Sequence, residues 1–250
     1  KLETNPLCEE AQPLVEISEN QFKLNENSDD LKGHRQRLKE RFMRAPSVIP
    51  DYELIELILF NAIPRRDVKK LAKSLLNKFG TVSRLLDLDP AKAKESALEL
   101  SDNILLQFAL LKEVTARSLK EDLSEKPILG NMNSLYDYLR STMGNKNVEN
   151  FRVLYLNTKN YLIADESQDY GTIDQTHVYP REIVKRAIFH DAAAIIIAHN
   201  HPSGVAKPSK ADIILTQKIL EACKTIDVSL HDHIIVSSKE IFSFRSNNLL

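Results

Sequence analysis

The sequence predicts a small all-helical unit followed by an α/β (α+β) domain built on a mixed sheet flanked by helices. Three observations lead there. Residues 31–120 carry apolar positions at helical spacing, punctuated by Pro, Gly and cap-type residues. After Gly130, short strand-like runs alternate with three helical patterns, the order expected of an α/β domain. One run, Ala193 to Asp212 (AAIIIAHNHPSGVAKPSKAD), opens as a strand apolar on both faces and closes as the capped start of a helix.

The elements follow in order. Residues 1–30 hold eight acids against Lys1 and Lys23 with few periodic apolar positions, so they read as an acidic flexible tail. Residues 31–80 reverse the sign, with twelve Lys and Arg against five acids. RQRLKERFM is a basic helix. Pro50 starts the next, DYELIELILFNAI, and Asp67 caps VKKLAKSLLNKF, which stops at Gly80. Further helices are expected from Thr81 to Leu88 and over 91–98 and 103–120, so residues 31–122 form the helical domain. EDLSEKPILG is polar and ends in Pro and Gly, and 123–130 is read as a linker.

Residues 131–250 form the second domain. SLYDYLRSTM is helical, FRVLYLN and YLIADES are strands joined at Asn157–Asn160, and GTIDQTHV is a third strand ended by Pro180. A helix over 181–189, the 193–200 strand, a long helix from 209, and the strands VSLHDHIIVS and IFSFR complete it.

Composition bounds the function. A chain of 250 residues, 42% hydrophobic and 28% charged, suits one large or two modest globular domains. No apolar run approaches the roughly 18 residues that span a bilayer, so no membrane role is expected. KLETNPLCEE has neither the basic flank nor the apolar core of a signal peptide, and it lacks an initiator Met, as a trimmed chain would. Cys8 and Cys223 make no disulfide framework, which points to a reducing cytoplasm. The oligomeric state is not legible.

The chemistry concentrates in the 193–212 run. Pro202 ends the strand, and His199 and His201, two apart on it, share a side. Ser209 is a natural N-cap that places Asp212 in the first helical turn, able to face back across the loop. Two imidazoles and a carboxylate make a three-ligand zinc set with a fourth position open to water, one Zn2+ per chain. The competing reading of Ser209 and Asp212 is a capping box alone. Thr216, one turn beyond Asp212, is placed to orient it. Asp232 and His233 form a second cluster; His231 and His233 share a face by period two, and a supporting role is favoured over a second metal.

The run HNHPSG-x3-PSxxD, His199 to Asp212, resembles the JAMM signature of MPN-type zinc hydrolases. The wider chain, about 31–250, resembles their bacterial RadC-like (UPF0758-type) branch, through GHRQRLKERF, PDYELIELILF, AIPRRDVKKLAK, Asn157–Asn160, Gly171-Thr172, Pro180-Arg181-Glu182 and Asp232-His233. The resemblance implies that His199, His201 and Asp212 bind zinc and that Ser209 helps hold an oxyanion. It also implies that Glu149, where the helix gives way to the first long strand, is the acid that moves the proton. The activity so implied is zinc-dependent hydrolysis of an amide, peptide or isopeptide bond.

A second function class is a DNA-repair accessory protein that holds DNA through Arg35, Arg37, Arg41, Arg65 and Arg66. The branch's helix-hairpin-helix-like element normally carries glycines that let backbone N–H groups approach phosphate. Here the matching stretch, LELSDNILLQF, has none and adds Asp102, so this hairpin is degenerate.

Overall fold

The computed structural model describes residues 33–88, 100–167 and 178–250. The expected helix over 91–98 and the strand GTIDQTHV, with Gly171-Thr172, lie essentially outside these ranges, as does the acidic tail. The chain divides into two compact units, Lys1–Lys78 and Phe79–Leu250.

In the first unit, residues 33–44 are helical (α1), a 3-10 turn follows at Pro46–Val48, and Pro50 leads into α2 (Asp51–Ala62). Asp51 and Glu53 sit in the first turn of α2, where acids complement the helix dipole. α3 runs Lys69–Phe79. Leu38, Ile55, Leu59, Ala72 and Leu75 are fully buried, as their helical spacing predicts. Glu56 is buried as well, and its Oε2 lies 2.8 Å from His34 Nε2.

The second unit begins with α4 (Val82–Leu86), capped by the Thr81 hydroxyl, and α5 (Asp102–Glu125). Asn145 donates to Ser83 Oγ and Asp87 Oδ2, both at 2.8 Å, and Lys112 pairs with Asp87, which ties α4 and α5 to the end of α6 (Met132–Met143). These helices belong with the sheet rather than with the basic helices before them. The stretch 123–130 is also not a spacer. α5 continues to Glu125, a 3-10 turn covers Ile128–Gly130, and Leu123 and Ile128 are core residues packed with α6 and three strands. The polar composition of EDLSEKPILG hides two side chains on the inner face.

The sheet has the order β2-β1-β3-β4-β5, with β1 Phe151–Leu156, β2 Leu162–Ser167, β3 Ala194–Asn200, β4 Ser229–Val236 and β5 Ile241–Ser243. Only β3 and β4 pair in parallel; the other neighbours are antiparallel. α7 (Pro180–Phe189) precedes β3, and α8 (Lys210–Lys224) is the crossover to β4 that a parallel pair requires. Strict alternation on β1 and β3 sorts the core. Leu154, Leu156, Ala194, Ile196 and Ala198 face α5 and α6. Phe151, Val153, Tyr155, Ile195 and Ile197 face α7 and α8. Every residue of β3 is buried, in agreement with its two-sided apolar run.

β4 departs from alternation. Ile195 pairs with Leu230 but Ile196 pairs with Asp232, so His231 is an extra residue, a β-bulge. The bulge shifts the phase of the strand. Leu230 and His233 therefore lie on the α8 face, and His231 is turned elsewhere, its Nε2 2.7 Å from Asn160 Oδ1. The expectation that His231 and His233 share a face is corrected by this one residue.

Among the described residues, no helix is long and apolar enough to cross a membrane. Leu123→Ala is expected to lower the unfolding free energy by about 2–5 kcal/mol in urea denaturation, because the side chain is in the core. A loss near zero would return this segment to the status of a spacer.

Candidate metal centre

The site forms where β3 ends. His199 continues the α8-facing set of β3, is 6% exposed, and lies parallel to the Phe151 ring at 6.3 Å. His201 follows, with its backbone N–H donating to Val236 O at 2.9 Å. The chain then turns through Gly204, whose φ of +85° suits glycine, and Gly204 N donates to His201 O at 3.1 Å. The turn brings the Val205 carbonyl to 2.9 Å from His201 Nδ1, so that nitrogen carries the proton and Nε2 is left with a lone pair.

Ser209 caps α8 in a complete capping box. Its Oγ accepts from Asp212 N at 3.1 Å, and Asp212 Oδ2 accepts from Ser209 N at 2.7 Å. The box holds the carboxylate facing the histidines. Asp212 Oδ1 is 3.3 Å from His199 Nε2, and Oδ2 is 3.7 Å from His201 Nε2. The two imidazole Nε2 atoms are 3.0 Å apart.

His199, His201 and Asp212 are the one cluster of three such ligands found among the described residues, with ligand atoms within 4.8 Å of one another. A tetrahedral ion with bonds of about 2.0–2.1 Å keeps its ligand atoms roughly 3.3–3.4 Å apart. The Nε2–Nε2 separation of 3.0 Å and the 3.3 Å from His199 Nε2 to Asp212 Oδ1 lie near that spacing, and His201 Nε2 reaches the same carboxylate through Oδ2 at 3.7 Å, so the donor set suits a metal ion. The side chains of His201 and Asp212 each remain 15% exposed, which leaves the cluster open to solvent on one side.

Behind His199 stands His233. Its Nε2 is 2.8 Å from His199 Nδ1, and its Nδ1 is 2.6 Å from Thr216 Oγ1. Thr216 in turn donates to the Asp212 carbonyl at 2.6 Å. Phe244 stacks on the His233 ring at 4.6 Å. Burial, with His199 alongside, pushes the His233 imidazole well below the ordinary histidine range. Asp232 points elsewhere: it accepts from Ser243 Oγ at 2.6 Å, from Arg245 N at 3.0 Å and from His233 N at 2.8 Å, and so fixes the turn after β5 and the backbone of His233.

Glu149 is exposed just before β1. Phe151 is paired with His199, and Asn200 N donates to Asn150 O at 3.4 Å, so the segment that carries Glu149 stays against the end of β3 as far as Asn150. Sequence reading missed the residue that arranges this, Asn200. It alternates to the opposite face from His199, is fully buried, and donates to Lys146 O and Val148 O while accepting from Asn150 N at 2.8 Å. An amide at the end of an otherwise apolar strand was the available signal.

The five arginines considered for DNA lie in the first unit. Arg35 is committed to the fold: it donates to Phe60 O, Ile63 O at 2.7 Å and Arg66 O at 2.6 Å, and lies over the Phe60 ring. Arg41 pairs with Glu53 at 3.1 Å. Arg37, Arg65 and Arg66 are exposed.

Comparison with known proteins adds the family. The family model for the RadC-like JAB domain matches residues 129–249. A UPF0758 protein of Ruegeria pomeroyi is 41% identical over 221 residues, 88% of this chain and 98% of the relative. A UPF0758 protein of Rhodobacter capsulatus is 42% identical over 214 residues, 85% of this chain and all of the relative. With this extent of similarity, and a five-stranded sheet carrying the His199–His201–Asp212 cluster at the end of its central strand, the chain belongs to the UPF0758 family of RadC-like, JAB-domain proteins.

Proposed function

We propose that this protein is a zinc-dependent hydrolase of amide bonds, peptide or isopeptide, with His199, His201 and Asp212 as the ligands of one zinc ion. The observation that carries the reading is the convergence of two imidazole Nε2 atoms and one carboxylate, all within 4.8 Å of one another and open on one side. A bound zinc supplies a water acidified toward neutral pH and a Lewis acid for the carbonyl. The residues do the rest. Glu149, two residues before the Phe151–His199 pair, accepts a proton from the attacking water and delivers it to the leaving amine as the C–N bond breaks. Ser209 accepts the Asp212 N–H through its oxygen, which leaves the hydroxyl proton free for a developing oxyanion. Asn200 holds the segment that carries Glu149 against β3.

Protein purified without chelator is expected to contain close to one zinc per chain by elemental analysis, and Asp212→Asn to lose it. Zinc absent from wild type after reconstitution would end the metallohydrolase reading. Glu149→Gln is expected to keep the metal and lose roughly 10²–10⁴-fold in turnover, read on a panel of fluorogenic peptide amides and a lysine isopeptide. Unchanged turnover would remove Glu149 from the mechanism. Asn200→Ala is expected to keep zinc and cost about 1–3 kcal/mol of stability by stranding buried polar groups. Its turnover should fall as well; a variant as active and as stable as wild type would deny Asn200 its role.

A further inference from the structure

We propose that Thr216 and His233 are positioning residues that order one proton chain and so fix His199 as the Nδ1–H tautomer, with Nε2 bare toward Asp212 and His201. The inference rests on the metal-centre reading for its purpose, although its geometry stands independently. The chain has four members and three short links: His199 Nδ1 to His233 Nε2 at 2.8 Å, His233 Nδ1 to Thr216 Oγ1 at 2.6 Å, and Thr216 Oγ1 to the Asp212 carbonyl at 2.6 Å. The direction is set at the far end. A carbonyl oxygen only accepts, so the single Thr216 hydroxyl proton goes to it. Thr216 Oγ1 then receives a proton from His233 Nδ1. A neutral imidazole has one N–H, so His233 Nε2 must accept, and His199 Nδ1 must donate. The remaining nitrogen, His199 Nε2, is left with its lone pair.

Burial makes the order matter. His233 is fully buried and Thr216 is 1% exposed, so no solvent stands in for a missing partner. The two links through His233 with their protons reversed would leave the Asp212 carbonyl without the Thr216 proton and put a proton on His199 Nε2, aimed at Asp212 Oδ1 at 3.3 Å, and that form has no lone pair to give a metal. His201 needs no such device, since its loop supplies the Val205 carbonyl. The bulge at His231 is what turns His233 to this face. The role thus falls on residues of two elements, α8 and β4, neither of which is a ligand through the groups involved.

The test is a long-range 1H–15N correlation spectrum of the full chain labelled with 15N-histidine, metal-stripped, with His199 assigned through His199→Asn. The expected result is the Nδ1–H form of His199 in wild type and in Thr216→Ser, which keeps the hydroxyl. In Thr216→Val the His233 proton moves to Nε2, the nitrogen with a remaining partner, and His199 becomes the Nε2–H form. Zinc competition against a chromophoric chelator is expected to show Thr216→Val weakened roughly 10–100-fold, with Thr216→Ser close to wild type. An Nε2–H form in wild type, an Nδ1–H form that persists in Thr216→Val, or an unchanged zinc Kd in that variant overturns the proposal. If Thr216→Val does not fold, the wild-type spectrum alone decides. Wild type that binds no zinc counts against the hydrolase reading, while the metal-free spectrum still decides the proton chain.

Discussion

The parallel pairing of β3 with β4 is the constraint on which the site depends. Two parallel neighbours cannot be joined by a hairpin, so the chain must leave the carboxyl end of β3, cross one face of the sheet as α8, and return. The first turn of α8 therefore starts near the place where β3 stops. Its N-cap, Ser209, and its first-turn acid, Asp212, come back beside His199 and His201 because of that topology. A strand buried on both faces then divides its last residues between two tasks. His199 faces α8 and joins the cluster, and Asn200 faces the other way and fastens the segment that precedes β1.

Capping and ligation are not competing roles for Asp212. The capping box uses Oδ2 for the Ser209 N–H, and Oδ1 remains directed at His199. A cap contributes on the order of 1 kcal/mol to helix stability, and here it also removes rotamer freedom from the carboxylate. Orienting the group in this way costs less than it would for a free surface acid.

What was legible in the sequence was whatever carries a local pattern. The two-sided apolar run of β3, the His-x-His spacing and the Ser-x-x-Asp cap each have a short-range physical cause, and each is found where expected. The bulge at His231 was not legible, because one extra residue in a strand leaves no compositional mark, yet it separates the two histidines and turns only His233 toward the site. Leu123 and Ile128 sit in a polar stretch whose inner face appears only when α5 is seen to pass over α6 and the sheet. Arg35 shows the same limit. A basic helix start looks available to phosphate, but three backbone carbonyls close to the end of α2 claim the guanidinium.

The two histidines of the cluster are held in different ways, and their depth explains why. His201 lies at the rim, in a turn that already exposes backbone carbonyls, and Gly204 lets that turn fold back far enough for the Val205 carbonyl to hold the ring. His199 is the last α8-facing residue of a central strand, which is paired with a neighbour on each side. Its partner has to be a side chain from the adjacent strand, and a buried side chain must itself be satisfied. His233 meets that need only because Thr216 closes the chain onto a helix carbonyl. An apolar residue at 233 would pack well against Phe244, so the polar chain is retained at a place where packing alone does not ask for it. That is the physical sense in which the interior behind His199 is built for the ring in front of it.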